Sequence, residues 1–267
     1  MIGMVWGIAV LALLLAAAAP NELQEAAKAL EQEDYARAAP LLETVLESDP
    51  ANFQARFNLA YAYTELQQDE RAIEQYQKVV EQKPELPQAR MNLAILLMRR
   101  QRAAEAVPHF KMLAEERGDD FQSQLRYAHS LDAAGRSVEA IAPYQRALGL
   151  DPSSADAALG LGESLAKAER FEEATKYYRL ASKLDPQLAQ MMLQLAELLE
   201  QKKQTEQALA LYQEYLAAHD DAIAVRERVA LLLMSQGHYG AAIPLWEQAA
   251  GQDPSAANQA ALARPTP

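Results

Sequence analysis

ADAALGLGESLAKAERFEEATKYYRLASKLDPQL, residues 155–188, sets the pattern for the whole chain. Its apolar residues recur every three to four positions, at Leu161, Leu165, Phe171, Ala174, Tyr178 and Ala181. That is the spacing of a helix with one apolar face, and it breaks near Ala168–Arg170 and again at Asp185-Pro186. Two amphipathic helices joined by a short turn are expected. Such a hairpin cannot bury both apolar faces alone, so it needs copies of itself on either side.

The copies are present at a step of 34 residues. From Ala174 the step lands on Ala140, Ala106, Ala72 and Ala38 upstream, and on Ala208 and Ala242 downstream. Twelve residues before each alanine the side chain is again small: Ala26, Ala60, Ala94, Ala128, Gly162, Ala196, Ala230. Four residues after it the side chain is bulky: Leu42, Tyr76, Phe110, Tyr144, Tyr178, Tyr212, Trp246. Each unit closes on a helix breaker: Pro50, Pro84, Gly118, Pro152, Pro186, Asp220, Pro254. Small residues at the two facing positions let the helices of a hairpin approach closely.

This pattern resembles the tetratricopeptide repeat, in its bacterial exported or membrane-anchored form. The resemblance implies an all-α fold, an α-solenoid of about seven helix-turn-helix repeats in a right-handed superhelix. The units read as 20–52, 53–86, 87–120, 121–154, 155–188, 189–222 and 223–256, with 257–267 as a short cap and tail. Pro40, Pro108, Pro143 and Pro244 are expected near the first turn of second helices, where a missing N–H costs least. Ser255 is placed to start a capping helix through Ala263.

Composition narrows the function. The net charge of −12 argues against a nucleic-acid partner, whose binding rests on clustered Lys and Arg. The absence of cysteine removes disulfides, thiol nucleophiles and thiolate metal sites. Residues 2–19 are apolar and uncharged, with Ala16 and Ala18 in small-x-small register, as in an export signal peptide. A membrane anchor is the rival reading, and an apolar helix packed on the first repeat is the third. An exported protein, periplasmic or secreted, or one tethered through residues 2–19, is therefore expected.

No catalytic constellation is visible. The four histidines are scattered, and His129 with Asp132 is the one pair on a shared helix face that could reach a common ligand. Two such groups without a third do not make a metal site, so no metal, cofactor or catalytic residue is expected. Arg99, Arg100 and Arg102 cluster at one inter-helix turn and are expected to be solvated.

The resemblance implies instead a concave groove lined by the fifth, ninth and twelfth positions of each unit. Its expected members are Phe57, Tyr61, Met91, Ile95, Met98, Leu125, His129, Leu159, Glu163, Leu193, Glu197 and Leu231. The fifth position is apolar in five consecutive units, from Phe57 to Leu193, which suggests a track for a peptide or helical segment of a protein partner. Family members that clamp a carboxylate place lysine and asparagine where Phe57 and Tyr61 stand, so that specialisation is rejected. A non-enzymatic interaction scaffold, serving envelope assembly or complex organisation, is the leading expectation. An array that stacks end to end through its terminal repeats is the alternative.

Overall fold

A computed structural model describes residues 21–252. The leader expected at residues 2–19 and the cap expected at Ser255–Ala263 lie outside them. The described residues form fourteen α-helices and no strand. In chain order these are α1 (Asn21–Glu31), α2 (Tyr35–Ser48), α3 (Phe53–Glu65), α4 (Asp69–Gln82), α5 (Pro87–Arg99), α6 (Ala103–Glu116), α7 (Phe121–Ala133) and α8 (Ser137–Leu150). They continue with α9 (Ala155–Lys167), α10 (Phe171–Leu184), α11 (Met191–Gln201), α12 (Thr205–Ala218), α13 (Ile223–Ser235) and α14 (Tyr239–Gln252). Two compact units divide after Leu150, so α1–α8 belong to the first and α9–α14 to the second.

The small-residue seam is closed in every hairpin. All thirteen seam alanines, from Ala26 and Ala38 to Ala230 and Ala242, have no exposed surface. The bulky position beside the seam is buried as well, from Leu42 to Trp246. At Gly162, where the other hairpins carry alanine, an added Cβ would stand 3.0 Å from Cδ2 of Tyr178. The hairpin seam is thus packed to contact, as close-packed interiors are.

Each hairpin turns through one left-handed residue. Glu33, Gln67, Gln101, Gly135, Glu169, Lys203 and Gly237 all have φ between 57° and 78°, again at the 34-residue step. The turn closes the first helix in the same way each time. The amide of Gln68, for example, reaches back to the Tyr63 carbonyl at 2.8 Å, and that of Arg102 to the Leu97 carbonyl at 2.8 Å. These are the six-to-one bonds that accompany a left-handed helix end.

Three of the first helices are capped by the residue before them, while α5 and α13 begin after Leu86 and Ala222 without a side-chain cap. Asn52, Asp120 and Ser154 accept hydrogen bonds from the backbone amides of Ala55 (3.0 Å), Ser123 (2.7 Å) and Ala157 (3.1 Å). Leu188 cannot do this. There Asp185 accepts from the Gln187 amide at 2.9 Å, a 3₁₀ turn spans Pro186–Gln190, and α11 begins two residues into its unit.

A further device, which the sequence reading did not find, joins four of the hairpins to the one before. The fourth residue of a first helix reaches the carbonyl of the preceding helix breaker. Arg56 Nη2 donates to the Pro50 carbonyl at 2.7 Å, Arg90 to the Pro84 carbonyl, and Arg226 to the Asp220 carbonyl. Gln124 plays the same part, donating to the Ala114 carbonyl at 2.9 Å and to the Gly118 carbonyl at 3.4 Å. Carbonyls at a helix end lack intrahelical partners, so a buried polar side chain is held there by satisfying them. In the hairpins of α9 and α11 the position holds Ala158 and Met192, which cannot bond.

The four prolines correct an expectation. Pro40, Pro108 and Pro244 are the sixth residue of their helices and Pro143 the seventh, in the second turn rather than the first. Each therefore forgoes a helical hydrogen bond, a cost accepted near the helix start. The arginine cluster is also spent internally. Arg99 forks onto Asp69, Arg100 bonds Glu70 at 3.0 Å, and Arg102 reaches Glu70 at 3.3 Å and Glu105 at 2.7 Å.

Candidate binding site

The fifth, ninth and twelfth positions divide sharply in their surroundings. In the first unit three of the seven named from sequence are core. Phe57 has no exposed surface and meets the Tyr76 ring edge-on at 5.4 Å between centroids. Ile95 and Leu125 are buried too. This corrects the expectation that these three side chains lie open on a track: they pack into the apolar interior, where removing their surface from water is favourable. Tyr61 is half-buried, edge-on to Tyr35 at 5.6 Å with the two hydroxyls 3.4 Å apart. Met98 is half-buried against the core, and half-buried His129 meets Tyr144 at 5.6 Å. The pair of His129 and Asp132 gains no third group: among the described residues no cluster of metal-ligating side chains occurs.

Met91, also in the first unit, lines a cavity. It shares about 300 Å³ with Pro87, Gln88, Asn92, Leu113, Arg117 and Arg126, and Arg126 Nη1 donates to its sulfur at 3.9 Å. Burial pushes the Arg126 guanidinium below its ordinary pKa, with the Asp120 charge opposing the shift.

The second unit is more open. Leu159 and Glu163 are half-buried, and Leu231 is 45% exposed. Leu193, Glu197 and Glu200 come together on α11 around a cavity of about 600 Å³. Gln201 of α11, Tyr212 of α12, and Ala224, Val225 and Arg228 of α13 complete the wall. Leu193, Ala224 and Val225 supply apolar surface; the rest is polar. Arg228 Nε donates to Glu200 Oε2 at 2.9 Å and its Nη2 bonds Glu200 Oε1, so guanidinium and carboxylate meet at two points. That contact raises the Arg228 pKa. The Tyr212 hydroxyl donates to Glu200 at 3.5 Å. Burial, and then the negative charges of Glu200 and Glu197, push the Tyr212 phenol up to about 12. Glu197 is exposed and makes neither hydrogen bond nor ion pair among the described residues.

Of the twelve positions named from sequence, the structure brings Leu193 and Glu197 into this cavity and Met91 into the smaller one. Sequence reasoning left out Tyr212 and Arg228 as wall residues. Tyr212 was already assigned to the seam, and the fold gives it a second role in the cavity wall.

Comparison with known proteins agrees with this architecture. Tetratricopeptide repeat profiles match residues 29–85, 70–121, 125–189 and 190–222. The chain belongs to the tetratricopeptide repeat family. Among solved repeat structures, that of YrrB, described as a TPR protein with an unusual peptide-binding site, is 20% identical. It superposes with a TM-score of 0.56 and covers 62% of this chain and 85% of its own. A structure of MamA AMB-1 is 25% identical at a TM-score of 0.56, covering 62% of this chain and 90% of its own. A further MamA AMB-1 structure is 26% identical at 0.54, over 61% and 96%. These likenesses establish the helical-repeat fold. No curated protein matches the sequence significantly. Among the described residues, no helix of this tetratricopeptide array is long and apolar enough to cross a membrane.

Proposed function

We propose that the protein is a non-enzymatic interaction scaffold that holds a segment of a partner protein on the inner positions of its first helices. The observation that carries this reading is the open cavity between α11 and α13, where Leu193, Ala224 and Val225 stay accessible beside Glu197 and Glu200. A mixed apolar and charged concavity with no catalytic cluster suits recognition of another chain. Family membership supports the same reading, since repeats of this kind serve as binding modules.

Leu193→Ser with Val225→Ser is the test. Affinity capture from the source cells should retain a defined partner on the wild-type protein. The double variant should bind it at least tenfold more weakly, about 1.4 kcal/mol. Unchanged capture by a folded variant would remove this cavity from the binding surface. Self-association is the competing outcome: growth of the scattering mass with concentration, abolished by no groove substitution, would favour end-to-end stacking.

We also propose that residues 2–19 deliver the protein out of the cytoplasm, as a cleaved leader or a retained anchor, where it would serve envelope assembly or complex organisation. The apolar, uncharged run ending in four alanines supports this. Intact mass after cell fractionation decides it. A mature start near Ala19 or Pro20 marks cleavage, full-length mass in washed membranes marks an anchor, and full-length mass in the cytosol overturns both.

A further inference from the structure

The cavity walls differ in what they leave unsatisfied. Glu200 is held by Arg228 at two points and by the Tyr212 hydroxyl, so its charge is spent within the wall. Arg228, the cation of the lining, is spent on the same pair. Glu197 remains: exposed, one helical turn beyond Leu193, with no hydrogen bond or ion pair among the described residues. The lining carries two carboxylates, Glu197 and Glu200, against one guanidinium, Arg228. Residues 151–267 carry sixteen carboxylates against ten Lys and Arg, a net charge of −6. An anionic occupant would meet Glu197 with no free cation to offset it, while a purely apolar one would leave that carboxylate facing its own surface.

Resting on the scaffold reading above, we infer that this cavity takes a lysine or arginine side chain from the bound segment, with its methylene stem across Leu193 and Val225 and its cationic head at Glu197. A long basic side chain has this shape, an apolar stem ending in a charge that stays partly in water. The cavity, at about 600 Å³, has room for the stem and for an apolar neighbour against Ala224. The Glu197 carboxylate gains a partner of opposite charge beside the apolar wall, and that complementarity favours a basic side chain over an acidic or neutral one.

A random twelve-residue peptide library selected against the full-length protein tests this without a known partner. Recovered peptides should be enriched in Lys or Arg next to apolar residues. For one such peptide, Glu197→Gln should weaken binding about tenfold, with helicity and melting temperature unchanged. Replacing the peptide's basic residue by norleucine should cost the wild type a similar factor and cost E197Q little more, since the two losses describe one contact. Peptides that bind and lose affinity in Leu193→Ser, yet show no basic preference or no coupling to Glu197, overturn this inference and leave the scaffold reading in place. Failure to select any peptide that Leu193→Ser weakens overturns both.

Discussion

Phe57 on α3 and Leu193 on α11 occupy the same place in their repeats, the fifth of the unit, yet one is sealed under Tyr76 and the other looks into a cavity. The alanines beside them behave differently: Ala60 and Ala72, like Ala196 and Ala208, are wholly buried in both hairpins. The seam looks alike everywhere because both of its partners repeat. The inner face does not: Phe57 and Leu193 have tyrosines at the same repeat position beside them, Tyr76 and Tyr212, yet Phe57 is closed over while Leu193 and Tyr212 together line a cavity. An equivalent position with an equivalent neighbour therefore does not by itself specify an environment.

Pairs of equivalent positions offer ways to break this contrast. The largest effect belongs to the first pair. Phe57→Ala should cost about 3–5 kcal/mol in chemical denaturation, as a cavity in a closed core does. Leu193→Ala, at a half-buried site, should cost about 1 kcal/mol. Equal losses would mean that the two fifth positions share one environment after all.

Arg90 and Ala158 form the second pair. Arg90 is buried, donates to the Pro84 carbonyl and pairs with Glu116 at 3.3 Å. Arg90→Ala removes hydrogen bonds from a charged donor and should cost about 1.5–3 kcal/mol. Ala158, which makes no such bond, should tolerate Ala158→Ser far better in the same melting experiment.

The third pair sharpens the argument about neighbours. Asn92 donates to the Tyr76 hydroxyl at 2.9 Å, whereas Asn58, one repeat earlier, is fully buried with no partner for either polar atom of its amide. The equivalent of Tyr76 in the preceding hairpin is Leu42, which has nothing to accept with. Asn58→Leu should therefore stabilise the protein by about 1 kcal/mol, while Asn92→Leu should destabilise it by a similar amount. Thermal melts of the two variants moving in the same direction would break the account.

The smallest effect concerns Gln101 and Gly135, both left-handed, with φ of 59° and 73°. Gln101→Gly should gain about 0.5 kcal/mol, the relief of a strained φ less the extra freedom of the unfolded chain. Gly135→Gln should lose a comparable amount.

These pairs also show what the sequence could carry. The hairpins, their phase and the alanine seam were legible because seven copies report the same requirement. The proline positions were read one turn too early, since the seam alanine marks helix phase but not helix start. Phe57, Ile95 and Leu125 were assigned to an open face because apolar periodicity cannot tell a residue covered by its neighbours from one left bare. The clamp from Arg56, Arg90, Gln124 and Arg226 was written in the sequence as a polar residue at the fourth position of four units. Its meaning required knowing that a breaker carbonyl lies within reach.

That clamp bears on how the second unit would yield to a pulling force. Where Arg226 ties α13 to the end of α12, a separating load must break buried charge-assisted bonds before the helices part. Between α10 and α11 the corresponding residue is Met192, and the junction is a 3₁₀ turn in which Asp185 accepts from the Gln187 amide. What crosses it instead is the exposed pair of Arg179 and Glu214 at 2.7 Å, so a load on this junction meets a solvent-screened contact where its neighbour meets a buried guanidinium.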